Sequence, residues 1–265
     1  MCTVSWRHAD EGYELLCNRD ELHTRKPARP PSIKIRSGVQ FVAPIDGDHG
    51  GSWIAVNEFG LTFCLLNRFP PRCYQPSRPG TSRGHLVLEL VHSSSLDAAH
   101  RRLNQLRLES FQPFDLAILQ SHKPCLLVHW TGLDLMIEQD GENAMPLLSS
   151  SFDQAGVAKH RRRVFHNLLT HEGKITSALL DEFHRSHAPA ASAYSPCMHR
   201  QDARTVSFSR VRVSRECLEF YYLGASPCAC QASPPHIVRL PLVQLDSATM
   251  EQTRASEQAQ VPPSL

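Results

Sequence analysis

A short apolar run, Cys2 to Trp6, opens the chain and predicts a strand. Asp10-Glu11-Gly12 predicts a turn, and the run Tyr13 to Cys17 predicts a second strand, so the first two dozen residues read as a β-hairpin. A loop rich in Pro and Arg follows, through Pro27, Pro30 and Pro31, and then two short strand candidates, Ile33 to Ile35 and Val39 to Ala43. Ser52 to Val56 and Leu61 to Leu66 are strands joined across Asn57-Glu-Phe-Gly60, a hairpin connection. Pro70, Pro71, Pro76 and Pro79 mark a long loop.

The period then changes to that of helices. Gly84 to Val91 and Leu96 to Leu108 are predicted helices; Ser95 caps the second, whose apolar stripe is Leu96, Ala99, Leu103 and Leu106. A strand meander is predicted over Phe114 to Gln120, Cys125 to Trp130 and Leu133 to Glu138. Two more helices, Val157 to Leu169 and Ile175 to His184, precede strands at Thr205 to Val213 and Cys217 to Leu223. This order of strands, paired helices, strands, paired helices and strands predicts helices packed on antiparallel sheets. Residues 1–246 read as one domain, and the polar stretch 247–265, with Pro262 and Pro263, as a flexible tail.

Composition narrows the function classes. Lys and Arg number 28 against 26 Asp and Glu, a formal +2, which argues against a nucleic-acid binder. The run His160-Arg161-Arg162-Arg163 reads as a solvated helix face. Arg7, His8, Asp10 and Glu11 break any secretory signal, and no apolar run is long enough to cross a bilayer. Nine cysteines without paired spacing point to free thiols in a reducing compartment, the cytoplasm, and to no metal site; Cys228-Ala-Cys230 is the only spacing that hints at one.

Cys2 draws attention by position. Removal of Met1 would leave a thiol and a free α-amine on one carbon, with unperturbed pKa values of ~8.5 and ~7.7–8.0, so that one residue supplies nucleophile and base. The plainer alternative is a small apolar residue opening a strand. Asn18-Arg19-Asp20-Glu21 ends the second strand, where paired strands would bring it near the chain start. A guanidinium beside Cys2 would lower the thiol pKa, and a carboxylate would hold the α-ammonium. On an extended strand Arg19 and Glu21 share one face and Asn18 and Asp20 the other, so both sets cannot face Cys2 unless the strand bends. The alternative is a surface salt-bridge cluster.

Met1-Cys-Thr3, Asn18-Arg-Asp-Glu21, Gly50-Gly-Ser-Trp-Ile-Ala-Val-Asn57 and Gly60-Leu61 resemble the NRDE family, also called the Transport and Golgi organisation family. The resemblance continues through Leu66-Asn67-Arg68, Ser82-Arg-Gly84, Phe114-Asp-Leu116, Ser149-Ser-Ser-Phe152, Cys197-Met-His199 and Thr205-x-Ser207. It implies an α+β fold, a four-layer αββα sandwich of two antiparallel sheets flanked by helices, as in N-terminal-nucleophile hydrolases. A more distant resemblance, to choloylglycine hydrolases, implies roles. Arg19 matches the arginine against the nucleophile, Asn67 the oxyanion-hole asparagine, and Asp20 approximately the aspartate. A second oxyanion-hole asparagine would fall near Leu148-Ser149-Ser150-Ser151, leaving a serine, Ser150, in its place. A late arginine matches Arg204 or Arg210.

Two activities are thus implied. The first is hydrolysis of a non-peptide C–N amide, with Cys2, Arg19, Asp20 and Asn67 catalytic, Asn18, Glu21, Ser150, Arg204 and Arg210 around the substrate, and no cofactor. The second, implied by the family, is carriage of an apolar ligand, haem or lipid/acyl-CoA, without chemistry. His8, His23, His49 and His199 are the candidates for a haem ligand. A third reading keeps the fold and loses the chemistry, as the serine run would allow.

Overall fold

The computed structural model describes residues 2–69, 81–229 and 234–243. Pro70, Pro71, Pro76, Pro79, Cys230 and the stretch 247–265 therefore lie outside the described residues. The chain forms β1 (Cys2–Ala9), β2 (Gly12–Leu22), β3 (Arg29–Arg36), β4 (Val39–Ile45), β5 (Ile54–Asn57) and β6 (Thr62–Asn67). Helices α1 (Gly84–Leu90) and α2 (Leu96–Gln105) follow, then β7 (Phe114–Leu119), β8 (Leu126–Trp130), β9 (Leu135–Glu138) and β10 (Leu147–Ser149). The last elements are α3 (Gln154–Glu172), α4 (Ser177–Arg185), β11 (Ala203–Val213), β12 (Cys217–Leu223) and β13 (His236–Pro241).

Two antiparallel sheets result, one in the order β10-β1-β2-β11-β12-β13 and the other β3-β4-β5-β6-β7-β8-β9. Alternation along the strands makes each sheet two-faced. Val4, Trp6, Leu15 and Cys17 of the first sheet meet Val42, Ile54, Cys64 and Leu66 of the second, forming the core between sheets. The opposite face of the second sheet, with Phe41, Phe63 and Leu65, receives Leu86, Val87 and Leu103 from α1 and α2. The opposite face of the first, with Leu16 and Phe208, receives Val164, Phe165, Leu180 and Phe183 from α3 and α4. The layers are thus helix, sheet, sheet, helix, the expected αββα sandwich. Burying each such side chain stabilises by about 1.5–3 kcal/mol.

Local chemistry explains the element ends. Ser95 caps α2, its side chain accepting from the Ala98 N–H, and Asp153 and Thr176 do the same for α3 and α4. Gly173, at φ 72°, ends α3 in the left-handed conformation that glycine tolerates. The Asn57-to-Gly60 hairpin is held by Asn57. Its Oδ1 accepts from the N–H groups of Phe59 and Leu61, and its Nδ2 donates to the carbonyls of Val91 and Ser93 beyond α1. Two strands escape the periodicity. β10 has three residues, and β13 is a sheet edge between prolines and exposes Ile237. β2 runs five residues past Cys17, through the whole Asn18-to-Glu21 tetrad.

One buried histidine couples the fold to pH. His184 on α4 is fully buried, with Nε2 2.8 Å from Ser5 Oγ on β1. Burial, reinforced by the charges of Arg210 and Arg161, lowers its pKa to about 3. The imidazole therefore stays neutral in the fold and takes a proton only on unfolding. Its contribution is fully present above the unfolded pKa of ~6.5 and is lost as pH falls towards the folded value. Urea unfolding at pH 7 and pH 5 should show wild type losing up to about 2 kcal/mol through this group, whereas His184→Gln loses correspondingly less over the same interval.

Candidate functional site

The register of β1 on β2 sets the site. Cys2 lies opposite Arg19, Thr3 opposite Asn18 and Val4 opposite Cys17. Opposite residues share a face, so Cys2 and Arg19 point between the sheets while Thr3, Asn18 and Asp20 point to the helices. On its other side Cys2 lies opposite Ser149 of β10, and its backbone N–H donates to Ser149 Oγ at 3.1 Å.

A cavity of about 350 Å³ opens at this end of the sandwich, lined among others by Cys2, Arg19, Glu21, Trp53, Asn67 and Arg83. A volume of this size suits a small ligand. Its rim depends on two glycines in backbone contact. A Cβ on Gly51 would lie 2.6 Å from the carbonyl carbon of Gly84, and one on Gly84 would lie 2.8 Å from the Ser52 nitrogen. This close approach, with the Ser52 N–H donating to the Gly84 carbonyl, brings Arg83 to the cavity.

Charge inside the cavity is largely paired. Arg19 donates to Asp46 at 2.6 Å, lies 3.3 Å from Glu21 and stacks 4.4 Å from the Trp53 ring centroid. Arg25 shares Asp46 at 2.7 Å. Burial raises the Asp46 carboxyl pKa, but the His49 N–H and the two guanidinium groups outweigh it and hold the group below its ordinary range. Arg83 is pulled down to about 10 by burial, opposed by the charges of Glu21 and Cys2, and so remains a cation at neutral pH. Asn67 lines the cavity from the end of β6, and its side-chain amide makes no hydrogen bond among the described residues.

The expectation that Arg19 would lower the Cys2 thiol pKa is corrected here. The thiol is pushed well above its ordinary value, first by its hydrogen bond with Cys17 and then by burial. Arg19, although on the same face, gives its closest bond to Asp46. Asp20 does not meet the chain start from the cavity side either. It is fully buried on the helix side, accepting from Thr205 Oγ1 at 2.7 Å and Arg161 Nη1 at 3.1 Å. Asn18 points the same way and donates to the carbonyls of His184 and Pro196, both at 2.9 Å.

Of the remaining predicted residues, Glu21 lines the cavity. Ser150 turns away: its Oγ accepts from the Phe152 N–H and its N–H donates to Gln154, so Ser149 is the serine beside Cys2. Arg210 lies on the helix face with Asp181 and Glu14, remote from the cavity. Arg204 is paired with Glu21 across the ladder and borders a smaller neighbouring hollow of about 180 Å³ that shares Arg19 and Glu21. Of the four histidines, only His49 lines the cavity.

Three residues lay outside the sequence-based site. Arg83 sits in the Ser82-Arg-Gly84 motif, whose pattern is visible but whose direction is not. Ser149 sits one position from the serine chosen. Arg161, in a run that predicts a solvated helix face, is instead buried, donating to Asp20 and Thr3 and, at 3.3 Å, to the Tyr194 carbonyl. Its neighbours Arg162 and Arg163 are exposed, so the helix-face reading holds for them alone.

Comparison with known proteins adds the family and the fold. The family described as Transport and Golgi organisation 2 matches residues 1–214. No curated protein matches the chain in sequence. Among solved structures it is similar to penicillin V acylase from Agrobacterium tumefaciens, with TM-score 0.51 and 12% identity over 93% of this chain and 87% of that one. The Caenorhabditis elegans orthologue of N-acylethanolamine-hydrolyzing acid amidase gives TM-score 0.53 and 12% identity over 79% and 92%. The C2A mutant of conjugated bile acid hydrolase from Clostridium perfringens gives 0.53 and 12% over 91% and 92%. At these identities the likeness is one of fold, that of N-terminal-nucleophile hydrolases.

Removing one partner of the buried Asp20–Arg161 pair leaves an unpaired charge in the core. Arg161→Ala should cost about 3–5 kcal/mol in urea unfolding, and adding Asp20→Asn should recover part of that loss. A cost below about 1 kcal/mol, as for a surface pair, would contradict the burial.

Proposed function

The chain belongs to the Transport and Golgi organisation 2 family, and on that premise we propose that loss of Met1 makes Cys2 an N-terminal nucleophile that hydrolyses a C–N amide bond of a small polar substrate. The observation that carries this reading is the placement of Cys2 at the start of β1, on the inner face, in the wall of the polar cavity. Its nitrogen is already oriented by Ser149 Oγ.

The chemistry follows from the raised thiol. A sulfur held protonated by Cys17 and burial needs a base beside it, and an α-amine on the same residue supplies one. The amine takes the thiol proton and the sulfur attacks the amide carbon. Negative charge moves to the carbonyl oxygen, where the Asn67 amide donates. The C–N bond breaks as the ammonium returns the proton to the leaving nitrogen. Water then cleaves the thioester, releasing the carboxylic acid and restoring thiol and amine. In this scheme Arg83, a cation in the wall of the same cavity as Cys2, steadies the sulfur anion. Arg19, fixed by Asp46 and Trp53, shapes the wall and offers charge to a polar substrate. Asp20 and Asn18 act behind the sheet, holding β2 in place.

Arginine and carboxylate lining favours a substrate with a polar or anionic group over a wholly apolar one, which gives the hydrolase reading more support than carriage of a lipid.

Intact mass of the purified chain should lack Met1. A nitrophenyl ester should give an acyl-enzyme burst and a mass adduct on Cys2. Cys2→Ala should remove the burst, and Asn67→Ala should slow it about 10²- to 10³-fold. Retained Met1 together with no adduct would sink the proposal, and a saturable one-to-one haem complex without acylation would favour carriage instead.

A further inference from the structure

Away from the cavity, on the helix side of the first sheet, four side chains from three chain segments converge. His187 follows α4, Cys197 and His199 precede β11, and Cys228 lies in the short turn after β12. Their ligating atoms all lie within 4.8 Å of one another. His199 Nε2 is 3.1 Å from His187 Nε2, 3.5 Å from Cys228 Sγ and 3.7 Å from Cys197 Sγ.

Hydrogen bonds pair these atoms two by two, His187 with His199 and Cys197 with Cys228, but four ligating atoms from three segments gathered in one volume also suit a single ion. A ring nitrogen carries either one proton or one lone pair in a single direction, so His199 Nε2 can bond one of these three neighbours and not all of them. The two imidazoles present Nε2 to each other, and one N–H···N bond between donor and acceptor tautomers joins them. A cation at the centre engages all four residues at once, because each ligating atom then directs a lone pair inward. The three distances from His199 lie close to the edges of one geometry, and separations in the cluster of up to 4.8 Å would shorten on binding. With Zn–N near 2.0–2.1 Å and Zn–S near 2.3 Å, a tetrahedron has N···N edges of roughly 3.3 Å and N···S edges of roughly 3.6 Å.

We propose that His187, Cys197, His199 and Cys228 form a two-cysteine, two-histidine site for a single Zn²⁺ ion. Two imidazoles and two thiolates on a borderline-soft d¹⁰ ion are a common structural donor set, and four protein ligands leave no open position for chemistry. Binding releases two thiol protons to solvent, and the exposed Cys228 offers the entry path. The surrounding backbone is ordered for the task. The Cys197 N–H donates to the Ser186 carbonyl, the Cys197 carbonyl accepts from Ser195 Oγ, and the His199 N–H donates to the Ser192 carbonyl.

The site acts as a staple between the α4–β11 connection and the end of β12, segments that are distant in sequence. Its consequence reaches β2. Pro196 accepts from Asn18, and the Met198 N–H donates to Thr205 Oγ1, the hydroxyl that donates to Asp20. Zinc at Cys197 and His199 would thus anchor the segment that holds the rear face of the Asn18-to-Glu21 tetrad. This assignment is independent of whether Cys2 is catalytic.

The test uses the full chain without a histidine tag, purified under reductant. Elemental analysis should find about one zinc per chain. Replacement with Co²⁺ should give tetrahedral d–d absorption and a thiolate-to-cobalt charge-transfer band. Cys228→Ser and His187→Asn, at exposed and half-buried positions, should each weaken Co²⁺ binding more than about a hundredfold, while Cys217→Ser binds as wild type does. A chelator should lower the Tm of wild type and leave that of Cys228→Ser unchanged. The proposal is overturned if reduced wild-type protein takes up no Co²⁺ with the thiolate band, if both variants bind it like wild type, or if Cys197 and Cys228 are found joined as a disulfide that excludes metal.

Discussion

The pairing of Cys2 with Arg19 across β1 and β2 is the constraint on which the rest of the structure depends. Side chains alternate with a period of two, so a slip of one residue would exchange the two faces. Thr3, Ser5, Asn18 and Asp20 would then enter the core between the sheets, and Cys2, Val4 and Cys17 would meet the helices. The register is held from the helix side. Arg161 of α3 joins Thr3 to Asp20, Thr205 of β11 bonds Asp20, and His184 of α4 meets Ser5. Polar groups deep in a protein are costly unless partnered, and these partners exist in one register only.

This arrangement divides the Asn18-to-Glu21 tetrad into two functions. Arg19 and Glu21 contribute to the cavity, whereas Asn18 and Asp20 bind the sheet to the helical layer and to the connection before β11. The β-bulge in β11 between Thr205 and Ser207 preserves the division, setting Thr205 against Asp20 and Ser207 against Arg19. One motif therefore contributes both to the wall of the cavity and to the packing behind it.

Electrostatics at the cavity follow a similar economy. Asp46 draws Arg19 and Arg25 into one cluster, which fixes both cations near the opening while reducing their reach towards the Cys2 sulfur. Arg83 also lines the cavity, and its place depends on two glycine backbones touching at Gly51 and Gly84. Neither position tolerates a side chain without moving the backbone opposite. The cavity is thus shaped by backbone contact as much as by side chains.

The sequence by itself determined most of the elements, and its resemblance to a known family implied their layering. Apolar runs, helix periodicity, the Ser95 cap and the Asn57-to-Gly60 turn specify most strands and all four helices, because those signals are local. It also marked Cys2, Arg19, Glu21 and Asn67, which share one cavity, and it stated that both faces of the tetrad could not meet Cys2. What only the tertiary structure decided is which face each charge occupies and what answers it. Arg161 looked solvated because its neighbours are, and its burial depends on how α3 lies across β1 and β2, whose Thr3 and Asp20 are 158 and 141 positions away in the chain. The convergence of His187, Cys197, His199 and Cys228 is hidden for the same reason, since only Cys197 and His199 are close in sequence. Local periodicity reports whether a residue is in a helix or a strand, but the partner of a buried charge is chosen by long-range packing, which no short window of sequence contains.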